Sequence, residues 1–82
     1  MPHTTTGSKE HYYHQATGKY GSVYIETSFN NLRAEGTLEV WYKGDGWGRF
    51  ELLEKIVLNS SFDRAKEVHD SVLIHWRKKL KI

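Results

Sequence analysis

No cysteine occurs in the 82 residues, and that absence removes two devices by which a small domain can compensate for a small core: a disulfide framework and a thiolate metal site. No stretch is long and apolar enough to read as a membrane span. The opening Met1-Pro2-His3-Thr4-Thr5-Thr6-Gly7-Ser8 lacks the basic and then apolar run of a signal peptide, so a soluble cytoplasmic protein is the expectation. Internal repeats and low-complexity tracts are missing as well, and nothing suggests a second unit. A chain this short buries only roughly 60% of the surface of its unfolded form, which argues against a deep catalytic cleft. Stability has to come from packing, with self-association as a further source.

What is present is patterned. From Ser61 onward Phe62, Ala65, Val68, Val72, Leu73, Trp76 and Leu80 recur at helical spacing and form one stripe, which predicts a C-terminal amphipathic helix. Upstream the period is two. Ser22-Val23-Tyr24-Ile25-Glu26-Thr27 alternates, with Val23 and Ile25 on one side and Tyr24 and Glu26 on the other, and Thr37 to Lys43 puts Leu38, Val40 and Tyr42 inside with Glu39 and Trp41 outside. His11 to Thr17 suits a further strand. Asn30-Asn31 and Ala34-Glu35-Gly36 mark a loop in which Asn and Gly tolerate positive φ, and Asp45-Gly46 within Gly44-Asp45-Gly46 marks a hairpin turn. The run Arg49 to Leu58 mixes helix formers with the demand for a returning strand and is read as strand four. Ser60 with Asp63 approximates a capping box ahead of the helix. The expected architecture is α+β: a four-stranded antiparallel meander with one C-terminal helix on one face, residues 10–82 forming a single domain behind a flexible tail of residues 1–9.

The formal charge is +2, from twelve Lys and Arg against ten Asp and Glu, and Arg77, Lys78, Lys79 and Lys81 supply four of the positives. Without that cluster the chain is slightly acidic. Cations in the last helical turn complement the exposed carbonyls by about 0.3–1 kcal/mol each at low salt, so helix termination explains the cluster, and phosphate contact is its functional alternative.

Five histidines, His3, His11, His14, His69 and His75, invite a metal reading. On a strand His11 and His14 point to opposite faces, and on a helix His69 and His75 lie well apart in angle, so neither pair chelates and no metal or cofactor is expected. His69 nevertheless falls inside the apolar stripe and needs a polar partner. In an unbulged strand four, Phe50, Leu52, Ile56 and Leu58 face the helix together with Glu54, so a buried Glu54–His69 pair would satisfy both groups; a bulge near Leu52-Leu53 would instead turn Glu54 outward. The glycines of Gly44-Asp45-Gly46-Trp47-Gly48 sit between two strands with no helix start, which does not fit a phosphate cradle.

One helix leaves one sheet face open. By parity that face carries Tyr24, Glu26, Glu39, Trp41, Arg49, Glu51, Leu53, Lys55 and Val57, too apolar for an ordinary wet surface. Tyr24, Trp41, Arg49, Leu53, Lys55 and Val57 are therefore the candidate partner-binding residues, with Ile74 on the polar side of the helix as a second anchor. The expected function is a non-enzymatic protein-binding module, acting by homodimerisation or as a regulatory or inhibitory partner of a larger protein. The alternative is nucleic-acid binding, with sheet aromatics stacking on bases and Arg77, Lys78, Lys79 and Lys81 meeting phosphates. The run Leu58-Asn59-Ser60-Ser61-Phe62-Asp63, followed by Ala65, resembles the sheet-to-helix junction of the small sheet-plus-helix DNA-binding domains of integrases and plant transcription factors. That resemblance spans about a dozen residues and transfers no site. The glutamates of the open face would repel phosphates, which favours a protein partner; an enzyme using Glu54 and His69 is a third reading.

Overall fold

In the computed structural model, which describes residues 9–44 and 48–82, four strands follow one another and a helix closes the chain. β1 (Lys9–Gly18), β2 (Gly21–Asn30), β3 (Glu35–Gly44) and β4 (Glu51–Leu58) form one sheet in the order β1-β2-β3-β4, every neighbour antiparallel. The helix α1 spans Phe62–Leu80. This is the expected meander and helix. The tail before Lys9 and the Asp45-Gly46 turn lie outside the described residues.

Alternation decides the faces. β2 sends Val23, Ile25, Thr27 and Phe29 inward, and pairing Ile25 with Val40 and Thr27 with Leu38 lays the inward residues of β3 beside them. β1 pairs His14 with Ile25 and Tyr12 with Thr27, so Tyr12 and His14 join the inner face. Val23, Ile25, Phe29, Leu38, Val40 and Leu58 make the apolar core, which Ala65 closes from the helix. Phe62, Val68, Val72, Leu73, Trp76 and Leu80 pack around its margin, as the helical stripe requires.

The register slips once. Val40 pairs with Glu54 but Trp41 pairs with Leu52, so Leu53 is an extra residue on β4. A bulge inverts the parity of everything before it. Glu54, Ile56 and Leu58 therefore keep the inward parity, whereas Leu52 turns out opposite Trp41 and Leu53 packs against the core. Phe50, expected inside, lies beside Tyr24 with ring centroids 6.3 Å apart. Arg49 and Phe50 precede the strand, which begins at Glu51.

The helix ends differ from expectation by one residue at the start. Ser61, not Ser60, is the cap, and its hydroxyl accepts from Arg64 N at 3.2 Å; with Arg at that position no capping box forms. At the other end Lys81 adopts the left-handed conformation, and Lys81 N and Ile82 N donate to Lys78 O and Arg77 O at 3.4 and 3.0 Å. In the loop after β2 the positive φ falls on Ala34, at 53°, rather than on an Asn or Gly. The Asn30 side chain holds that turn instead, accepting from Leu32 N and Arg33 N at 3.0 and 3.3 Å.

Gly21 opens β2 at a φ of 134°, and a Cβ there would sit 2.3 Å from the Lys43 carbonyl oxygen. Backbone cannot give way as a side chain can. Gly21→Ala is expected to cost about 2–4 kcal/mol, read as a lowered urea midpoint. Gly44→Ala, where a Cβ would meet only the Tyr42 hydroxyl at 3.9 Å, should stay within about 0.5 kcal/mol of the wild type.

Candidate functional site

Two groups of side chains stand apart from the packing of the core, one on each face of the sheet. On the open face, Tyr13 and Gln15 from β1, Tyr24 and Glu26 from β2 and Glu39 and Trp41 from β3 share parity, because Tyr13 pairs with Glu26, Gln15 with Tyr24 and Tyr24 with Trp41. The bulge adds Leu52, and Phe50 beyond the strand completes the patch. Gln15, Tyr24, Glu26, Glu39, Trp41 and Phe50 line a shallow depression of about 410 Å³. Val57, also on this face, is 64% exposed and Leu52 47%.

The charges of this face are largely paired among themselves. His11 Nδ1 lies 3.2 Å from Glu26 Oε2, and Lys55 Nζ lies 3.9 Å from Glu39 Oε2. The Tyr24 hydroxyl donates to Glu26 Oε1 at 3.4 Å, and its phenol is raised above its usual pKa by burial first and by the neighbouring carboxylate second. Lys43 Nζ sits 5.7 Å from the centroid of Phe50. Of the residues expected on this face, Tyr24, Trp41, Lys55 and Val57 come together there. Leu53 and Arg49 do not: the bulge sends Leu53 to the core, and Arg49 stands exposed ahead of β4. Leu52 and Phe50 occupy the surface in their stead.

Arg77, Lys78 and Lys79 are in the last turn of α1, on the far side of the sheet from these aromatics. Arg77 Nε donates to Ile82 O at 3.3 Å, a contact that belongs to ending the helix, and Lys79 Nζ lies 5.2 Å from the Trp76 ring centroid.

The roofed face holds the second group. His69, fully buried, meets Thr27 Oγ1 at 2.9 Å through Nδ1 and His14 Nδ1 at 3.0 Å through Nε2. Tyr12 packs against it with centroids 4.4 Å apart and the rings tilted at 56°, and donates its hydroxyl to Asp70 Oδ1 at 3.2 Å. The side chains of β1, β2 and α1 thus meet in one polar row at the open margin of the core. His14 Nδ1, His69 Nε2 and an Asp70 oxygen lie within 4.8 Å of one another. The expected Glu54–His69 pair does not form. Glu54 keeps its inward parity but accepts from Trp76 Nε1 at 3.0 Å, seven residues along the helix, while β1 and β2 supply the partners of His69.

His14 and His69 are 55 residues apart in sequence. Comparing histidines within one element, as periodicity invites, passes over a pair made between two elements. The one available signal was a histidine in an apolar stripe, which demanded a partner without naming it.

Comparison of the chain with family models, with curated proteins and with solved structures finds no match.

Burial first and the nearby His14 second lower the His69 pKa from 6.5 to about 4, with Asp70 opposing both. The folded chain therefore takes up this proton only near pH 4, whereas the unfolded chain takes it up near 6.5. Stability from this group is full above the unfolded value and is lost as pH falls through that window, by up to about 3 kcal/mol. The urea midpoint should drop across it, and in an NMR titration the His69 ring signals should stay constant until the pH approaches the lower value. Titration of that ring at its ordinary pKa would contradict the assignment.

Glu54 is half-buried, and its described hydrogen-bond donor is the Trp76 indole. Trp76→Phe removes the donor and puts a smaller aromatic ring in place of the indole, so a loss of about 1–2 kcal/mol is expected in chemical denaturation. Restoring that loss with Glu54→Gln in the same chain would show that the unpaired carboxylate, rather than lost packing, is responsible.

Proposed function

We propose that this chain is a non-enzymatic protein-binding module that works through its open sheet face, and that the occupant of the face is a second copy of the chain. The observation that carries the reading is the aromatic and aliphatic patch of Tyr13, Tyr24, Trp41, Phe50, Leu52 and Val57 on the side that the helix does not cover. Size supports it. Four strands about 4.8 Å apart and about 33 Å long present roughly 600 Å², so two such faces would bury about 1,200 Å², the lower end of the range for stable interfaces.

Charge supports the choice of occupant. The face carries Glu26 and Glu39 against Lys43 and Lys55, a balance that lets a two-fold related copy set unlike charges against one another. A nucleic acid would meet the two glutamates on the aromatic side and find the basic cluster on the other, so stacking and phosphate contact would not act on one strand. Sheet-on-sheet packing would also give a small domain the second half of a core that one helix cannot supply. No described helix is long and apolar enough to cross a membrane; a cytoplasmic setting is part of the proposal and accords with a chain free of cysteine.

Sedimentation equilibrium over a concentration series tests the reading. The wild type should dimerise, and Leu52→Asp should shift the equilibrium at least tenfold toward monomer, since a buried unpaired charge costs more than about 1.4 kcal/mol. Ile74→Asp, on the polar side of the helix, should leave the dimer intact. A wild type that stays monomeric at every concentration, or a Leu52→Asp variant that dimerises like the wild type, would overturn it.

A further inference from the structure

The row of polar groups beneath the helix does not belong to the proposed docking face, and it has the makings of an ion site. Three features converge there. First, two imidazole nitrogens from different elements, His14 Nδ1 on β1 and His69 Nε2 on α1, point at each other across 3.0 Å. Two nitrogens bound to one ion at about 2.0–2.1 Å stand roughly 2.8–3.4 Å apart for angles between square and tetrahedral, so the observed spacing suits two ligands of one ion, each ring turning to aim its lone pair at a point beside the line between them.

Second, a carboxylate stands beside them. All three donor atoms lie within 4.8 Å of one another, and Asp70 is exposed, so a small rotation brings its oxygen inside the about 4.2 Å that two ligands of one ion can span. Among the described residues Asp70 takes part in no salt bridge. Its negative charge is therefore available to a cation.

Third, outer partners are already in position. Thr27 Oγ1 lies 2.9 Å from His69 Nδ1, and when it accepts that N–H the tautomer is the one that leaves Nε2 free to coordinate. Tyr12 donates its hydroxyl to Asp70 Oδ1 at 3.2 Å and packs its ring against His69, contacting two of the three donor residues at once. His69 is closed off while His14 and Asp70 reach solvent, which leaves an entry path and room for water on the remaining positions.

We propose that His14 Nδ1, His69 Nε2 and the Asp70 carboxylate bind a divalent first-row transition cation of the zinc type, with water completing the coordination. Two nitrogens and one oxygen suit such an ion better than calcium or magnesium, which take oxygen ligands. The ion ties the edge strand β1 to the helix. Because the site is on the roofed side of the sheet, it is independent of whether the open face self-associates.

The test is titration of the untagged full chain with Zn²⁺, read by calorimetry and by the ring ¹⁵N shifts of the histidines. One equivalent should bind, with the coordinating shift on His69 Nε2 and His14 Nδ1, and a raised melting temperature. His14→Gln should weaken binding by about 100-fold and Asp70→Asn by about tenfold, while His11→Gln and His75→Gln leave it unchanged. His14 and Asp70 are exposed, so each variant is a separate route to the answer if the other fails to fold. The same titration on Leu52→Asp should give the same affinity, which keeps failure of the ion site distinct from failure of the docking face. Absence of Zn²⁺ uptake by the wild type, or uptake that survives both His14→Gln and Asp70→Asn, overturns the proposal.

Discussion

A single helix about 10–12 Å across can roof only about two strands spaced about 4.8 Å apart. Most of the molecule follows from that mismatch between one helix and four strands. β2 lies inside the sheet and within reach of the helix, and its inward residues Val23, Ile25 and Thr27 are fully buried. β1 is an edge strand beside it, so Tyr12 is half under the roof and His14 is exposed at its rim. β4, two strands further on, touches the helix through longer side chains, as in the Trp76 to Glu54 bond. The opposite face has no roof at all.

Legibility in the sequence follows the same division. The meander, the face of each residue in β2 and β3 and the helical stripe were readable because a residue buried against a single neighbour carries a clean period of two or 3.6. β4 departs from the expected faces where its period breaks. Leu52 and Leu53 are the same residue type, so nothing in the chain says which of them is the extra one; the bulge is set by how β4 meets Val40 and Trp41, a fact of pairing rather than of composition. Phe50, Leu52 and Leu53 exchanged faces in consequence. Glu54 kept its face because the bulge lies before it, and the partner that makes a carboxylate tolerable there is an indole from the helix.

The polar row was half legible. That His69 required a partner could be read from the stripe; that the partners would be Thr27 and His14 could not, since the choice depends on where the helix crosses the sheet. The bulky indole of Trp76 meets Glu54 near one end of the helix while His69 meets β1 and β2 near its middle. A helix running along the sheet cannot bring both Glu54 and His69 to one point. Long-range polar contacts of this kind leave only an unsatisfied group in the sequence and no address for its partner.

The energetics of that row also bear on its purpose. A histidine filling a fully buried position in a domain of this size forgoes the about 1.5–3 kcal/mol that a buried aliphatic side chain contributes, and the hydrogen bonds to Thr27 and His14 return only about 0.5–1.5 kcal/mol each. Thr27, fully buried beneath it, makes the same exchange of a methyl for a hydroxyl. Apolar residues at the two buried positions, 27 and 69, would not destabilise the fold in acid. Stability alone therefore does not account for two imidazoles facing each other at 3.0 Å with a carboxylate beside them. A ligand that both nitrogens and the carboxylate can share does, because its binding free energy is added to the folded state and to nothing else.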